Sequence, residues 1–152
     1  MMARGQISLS INPFIPKPFT PFQWMEFEDP SVIDRRLKSI AKGLHRENGV
    51  SVNTMSAKEA LIQSYVSRSD RRAGRLIVEA SLKGWARVMK ANEAFIMESV
   101  RMERPKDAIL PWDIIDHGVR KSYLWKEYGK ALEARATPPC EVGECFRCGV
   151  CL

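Results

Sequence analysis

The segment SLSINPFIPKPFTPFQW, Ser8 to Trp24, constrains the fold more than any other. Before and into it, Ile7, Leu9 and Ile11 alternate with Ser8, Ser10 and Asn12, the pattern of a half-buried strand. Pro13, Pro16, Pro18 and Pro21 then end regular structure, because each lacks an N–H and fixes φ. Phe14, Phe19, Phe22 and Trp24 sit between and after them, too apolar for a linker. A strand must therefore run into a rigid, covered loop.

Ile33, Leu37, Ile40, Ala41 and Leu44 recur at helical spacing after the loop. Asp29 or Ser31 can cap this helix, Pro30 is tolerated in its first turn, and Asn48-Gly49 stops it. Val50 to Asn53 (VSVN) alternates as a second short strand. Strand, helix and strand make a βαβ crossover, so the two strands should be parallel. Beyond Ser56 the chain reads as almost all helix. Ser56 and Glu59 form a capping box before Leu61, Ile62, Tyr65 and Val66. Further helices are expected from Ser69 or Asp70 to Gly84, from Ala86 to Met102, and from Gly118 to Ala134, with RPKDAILPWD as a break.

Two parallel strands cannot make a stable sheet alone. Either they pack on the helices as a small ribbon, or the chain is one end of a larger sheet. Met1-Met2 just before a strand suits the second reading, the tail of a bigger protein. At 152 residues the chain can still bury a core of its own. It has no apolar run of membrane-spanning length, and no signal peptide precedes the first strand, which points to the cytoplasm and away from a membrane. The net charge is +6, and SRSDRRAGR, Ser67 to Arg75, is the densest basic cluster. It reads as a solvated helix start, with an anion or RNA contact as the alternative that no nucleic-acid motif supports.

All the cysteines, Cys140, Cys145, Cys148 and Cys151, fall near the C-terminus, spaced C-x4-C-x2-C-x2-C. A disulfide framework would scatter them, whereas clustered thiols read as metal ligands. Gly143 and Gly149 permit the tight backbone of a knuckle, and Arg147 would help to hold thiolate charge. Both an iron–sulfur cluster and tetrahedral zinc suit the thiols, the cluster being placed first.

SINPFIPKPFTPFQW, SRSDRR, LPWDIIDHGV with YLWKEY behind it, and the terminal CFRCGVC come in a telling order. From Ile7 to Cys151 the chain resembles the C-terminal end of radical S-adenosylmethionine (SAM) proteins. The group is the Fe–S oxidoreductases, often fused to a cobalamin (B12)-binding-like or another N-terminal domain. The resemblance implies an α/β fragment, mostly α. Residues 1–54 would be the C-terminal end of a partial TIM-like barrel, with Ile7 to Asn12 its last strand. Residues 55–136 would be a helical region and 137–152 a four-cysteine metal-binding tail. The loop would border SAM or an unknown substrate at the barrel mouth, lined by Phe14, Lys17, Phe19, Gln23 and Trp24. The tail would carry an auxiliary cluster, 4Fe–4S, or alternatively zinc.

The departure from that family is as informative as the likeness. The C-x3-C-x2-C loop whose cluster cleaves SAM is missing from this sequence. SAM would be bound only with a missing N-terminal radical SAM barrel, from the same gene or a separate chain, and this chain alone should not be catalytic. The rival reading is a helical zinc-knuckle module that scaffolds RNA or a protein partner. His117, between Asp116 and Gly118, reads as a turn histidine rather than a proton shuttle, and His45 lies at a helix end. Trp85, Trp112 and Trp125 read as core, and Asp113 and Asp116 as caps.

Overall fold

A computed structural model describes residues 5–151 of the chain; the expectation attached to Met1-Met2 lies outside them. Strand β1 (Ile7–Ile11) pairs in parallel with β2 (Val50–Thr54), in register from Ile7 opposite Val50 to Ile11 opposite Thr54. Helix α1 (Pro30–Leu44) makes the crossover between them, as the βαβ pattern predicts. Its cap is Asp29, whose Oδ1 accepts from the Ser31 N–H at 2.8 Å. Gly49, at φ +80°, turns the chain into β2, and its carbonyl accepts from the Ile7 N–H at 2.8 Å.

The rest is helical: α2 (Ala57–Arg68), α3 (Ala73–Lys83), α4 (Trp85–Ala91), α5 (Glu93–Arg101) and α6 (Lys121–Leu132). The chain is thus an α/β fold, mostly helical, with a two-stranded parallel sheet among the described residues. The capping box opens α2: Ser56 Oγ accepts from the Glu59 N–H and Glu59 Oε2 accepts from the Ser56 N–H, at 3.2 and 3.0 Å. From that start, Ala57, Ala60, Leu61, Ser64, Tyr65 and Arg68 fall on one buried face.

Three expected helices differ from the periodicity. The helix expected from Ser69 or Asp70 starts at Ala73, because Asp70 Oδ1 accepts from the Arg72 N–H at 2.9 Å and holds a turn there. The helix expected from Ala86 to Met102 is broken at Asn92 into α4 and α5. Asn92 leaves helical geometry (φ −127°, ψ 24°), and its Nδ2 donates to the Val88 carbonyl at 2.9 Å. A short amide side chain competes there with the backbone ladder, a contest that apolar spacing does not register. The last helix starts at Lys121, not Gly118. Asp116 Oδ1 accepts from the Gly118 N–H at 2.8 Å, and Gly118 takes φ +79°, which makes a turn instead.

The buried residues form two clusters. The larger joins α1 to α5 around Ile33, Leu61, Tyr65, Leu76, Ile96 and Val100. The smaller packs Trp24, Leu110, Trp112, Leu124 and Tyr128 under α6. The proline–aromatic loop spans both. Ile15 and Phe27 belong with the first, and Phe19, Phe22 and Trp24 with the second. A single 3-10 turn, Pro21–Trp24, sets these rings. Beyond it, the Phe27 N–H donates to the Val100 carbonyl at 2.9 Å and the Arg104 N–H to the Trp24 carbonyl at 3.0 Å. The loop is a strap that ties the helical bundle to α6. Among the described residues no helix is long and apolar enough to cross a membrane.

Candidate functional site

The carboxyl ends of both strands open into cavities. One, of about 310 Å³, lies between the end of β1, the start of the loop and α1, walled by Ile11, Pro13, Phe14, Met25, Leu37 and Ile40. The other, of about 420 Å³, is polar: Ser10 and Asn12 face Asn53 and Thr54, with Glu59 and Gln63 of α2 behind. Parallel strands end with their side chains and α2's N-terminal turn converging, the placement in which α/β proteins bind ligands. Asn12, Asn53, Thr54 and Gln63 were not singled out by sequence reasoning. The signal for them was faint, a polar residue closing each apolar strand.

The loop residues divide by burial. Phe14 is 57% exposed and stands at the apolar cavity, edge-on to Phe22 at 5.0 Å. Lys17 is half-buried, and its desolvation lowers the ammonium pKa. Phe19 adopts φ +60°, unusual for a residue with a side chain. Its N–H is held by Gln23 Oε1 at 3.2 Å, and its ring lies 4.4 Å from His117. Gln23 and Trp24 are enclosed by this chain's own side chains, at 2% and 0% exposure. The Gln23 amide oxygen also accepts from Trp112 Nε1 at 2.6 Å. Trp24 lies edge-on to Trp125, 5.0 Å away. These two residues are struts that hold the loop, and Phe14 and Lys17 are its accessible side. Trp112 is core, as expected, and Trp85 is partly buried against the larger cluster.

Asp113 caps no helix. Its Oδ2 accepts from the Leu110 N–H at 2.8 Å and from Lys121 Nζ at 2.5 Å. The acid's pKa is lowered by these contacts although burial opposes them. This pair closes the RPKDAILPWD break against α6. It leaves the carboxylate engaged rather than free for acid–base work.

Residues 137–151 carry the thiols on irregular backbone. Glu127 and Lys130 of α6 both bond the Thr137 hydroxyl. Farther on, the Arg120 N–H donates to the Cys148 carbonyl at 2.8 Å. Gly143 and Gly149 both take φ +91°, the turns that the knuckle spacing anticipated. At Gly149 a Cβ would stand 2.7 Å from Arg120 Nε, so only glycine lets the tail approach α6 so closely. Arg147 Nε donates to Cys145 Sγ at 3.0 Å, and this contact depresses the Cys145 pKa. Cys140 is shifted upward, by desolvation first and then by the thiols of Cys145, Cys151 and Cys148. Among the described residues, however, no three His, Cys, Asp or Glu side chains converge in ligating geometry. The donor set fits a thiophilic metal: four thiols, glycine turns and one arginine that favours thiolate.

No protein-family model, curated protein or solved structure matches the chain.

Proposed function

We propose that this chain is the C-terminal segment of a radical SAM Fe–S oxidoreductase, contributing the barrel's last strand and mouth loop and an auxiliary metal site. The observation that carries this reading is the parallel pair β1–β2. Each strand has one hydrogen-bonded neighbour among the described residues, and Ile7 is 58% exposed. Parallel strands are normally covered on both faces, so a pair left this open fits the edge of a larger sheet. Phe14 stands at the carboxyl end of that edge, beside Ile11 and Pro13, where a barrel partner would bring its own site. The signature cysteine loop for SAM cleavage is not in this sequence, so these residues do not by themselves cleave SAM.

Cys140, Cys145, Cys148 and Cys151 would hold the auxiliary group, an iron–sulfur cluster, 4Fe–4S, in preference to zinc. A cluster so bound supplies one-electron transfer. Four thiolate ligands fill its coordination, which suits electron transfer or structure better than substrate binding. The chain's own residues position the tail: Arg120 through the Cys148 carbonyl, and Arg147 through Cys145 Sγ.

A second reading, a zinc-knuckle module that scaffolds RNA or a protein partner, is favoured by one feature, the Cys145-to-Cys148 turn closed by Gly149 at φ +91°. Anaerobic purification separates the two. Brown protein with iron and acid-labile sulfide is expected. Colourless protein with stoichiometric zinc would remove the cluster and leave the knuckle module.

A further inference from the structure

The basic cluster read as a solvated helix start is solvated at Arg71, Arg72 and Arg75 but not at its first arginine. Arg68, the last residue of α2, is 1% exposed, and Arg104, beyond α5, is 9% exposed. Arg68 Nε, Nη1 and Nη2 and Arg104 Nη1 have no hydrogen-bond partner among the described residues. Arg104 Nη2 donates to the Arg68 carbonyl at 3.0 Å, and its guanidinium lies 5.1 Å over the Trp112 ring. Among the described residues no carboxylate pairs with either charge. Asp70, nearest in sequence to Arg68, is engaged by Arg72 at 2.9 Å, and Asp29 by Arg101, while Glu103, next to Arg104, is exposed. Tyr65 Oη and the Ser64 and Ser69 hydroxyls are buried without partners as well.

An unpaired buried cation is among the most costly groups a core can carry. Burial, and after it Arg104, push the Arg68 pKa down to about 10, so the group remains cationic at neutral pH. Both arginines and Ser69 line a cavity of about 200 Å³ where α2 gives way to α3. That space suits a small oxyanion. Arg68 can turn toward it without losing any hydrogen bond, because its guanidinium makes none. A second cavity, of about 480 Å³, shares Ser69, Asp70 and Pro111 with the first and continues past Phe19 and Trp112.

We propose that Arg68 and Arg104 are the centre of a binding site for a dianionic phosphate, with Ser69 supplying a hydroxyl donor. Two guanidiniums match the two charges of inorganic phosphate or of a phosphate monoester. A carboxylate would leave one cation unbalanced. A nucleic-acid strand carries one charge per phosphodiester and would have to enter the core to reach either arginine. The adjoining cavity has room for the organic body of an ester. The site is independent of the cysteine tail and of any metal.

The test uses the full chain at constant ionic strength, with chloride as the reference. Inorganic phosphate and phenyl phosphate are titrated while thermal unfolding and the ³¹P NMR linewidth are followed. Both ligands are expected to raise the Tm and broaden the resonance. Tighter binding of phenyl phosphate identifies an ester as the ligand, and equal binding identifies the free ion. Arg68→Met should weaken phosphate binding by roughly tenfold to a hundredfold. Its Tm without phosphate should be unchanged or higher, because a buried unpaired charge is removed. Arg104→Gln should also weaken binding, which covers an Arg68 variant that fails to fold. Arg75→Gln, at an exposed position of the same basic cluster that lines neither cavity, should bind as the wild type does. The proposal is overturned if phosphate does no more than chloride, if Arg75→Gln weakens binding as much as Arg68→Met, or if a single-stranded oligonucleotide displaces phosphate from the wild type.

Discussion

Gln23 accepts two donors with one amide oxygen, the part-buried Phe19 N–H and the buried Trp112 indole N–H. Gln23→Ala orphans both, so a loss of about 1–3 kcal/mol per donor is expected in urea unfolding. A variant as stable as the wild type would mean that water replaces the amide. Trp24 behaves differently, because its indole N–H makes no bond although the ring is fully enclosed. Trp24→Ala should therefore cost about 3–5 kcal/mol. Trp24→Phe should cost much less, since it keeps most of the ring and forfeits no hydrogen bond; equal losses would contradict that account. Gly149 is the third residue on which local geometry turns. An alanine there meets both a positive φ and the Arg120 side chain, with contacts of 2.7 Å to Nε and 2.8 Å to Cγ. Gly149→Ala should leave the helices folded, as read by circular dichroism, while iron or zinc per chain falls after gel filtration. Full metal retention would show that the knuckle does not need this turn.

Among the elements, those with local causes were legible in the sequence. Asp29 before Pro30 and the Ser56–Glu59 box mark starts that residues a few positions apart can set, and the structure has both. The stop expected at Asn48-Gly49 comes later than the real one, since α1 ends at Leu44 with His45 as its cap and Gly49 turns the chain into β2 instead. Parallel pairing followed from strand, helix and strand in succession. The break at Asn92 was not legible, because Val88, Phe95, Ile96 and Val100 continue a helical apolar pattern straight through it. Nor was the division of the loop, since Gln23 meets Trp112 across 89 positions. The burial of Arg68 was hidden likewise, because a basic run reads as surface until its neighbours are known. The capping box also has a pH signature. The Ser56 N–H, and after it the Ser56 hydroxyl, lower the Glu59 pKa below its unfolded value. The stabilisation is then complete above the ordinary carboxylate pKa and is lost as pH falls through the depressed folded value. Glu59→Gln should give a shallower acid limb in the pH–stability curve; superimposable curves would deny the charge any role. The strand edges make an independent prediction. The β1 amides that do not pair with β2 should exchange hydrogen fast, and the isolated chain should self-associate with rising concentration. A monomer with β1 fully protected would count against a missing sheet.

At the scale of the molecule, the helical body and the cysteine tail are unequal partners. The body contains both buried clusters, and no cysteine belongs to either. The tail rests on α6 through Thr137, bonded by Glu127 and Lys130, and on the turn before α6 through Cys148 at Arg120 and Val150 beside Gly118. Metal binding should therefore order the tail without deciding whether the body folds, unlike small domains that exist only around their metal. Replacing Cys140, Cys145, Cys148 and Cys151 by serine should abolish iron or zinc binding. It should change the stability of the body by no more than about 1 kcal/mol, the scale of exposed substitutions. Amide exchange would show the division directly, with protection of α2, α3 and α5 unchanged and protection of the Arg120 amide lost. A cooperative collapse of the whole chain on chelation would contradict it, because the metal would then be holding the bundle and not only the tail. Since the strap, α6 and the tail meet around Phe19, His117 and Arg120, the same experiment asks how far a bound metal reaches toward the loop. Chemical-shift changes at Phe19 and His117 on metal loading would show coupling from the thiols to the mouth through packed side chains. Changes confined to residues 137–151 would make the tail a self-contained clip.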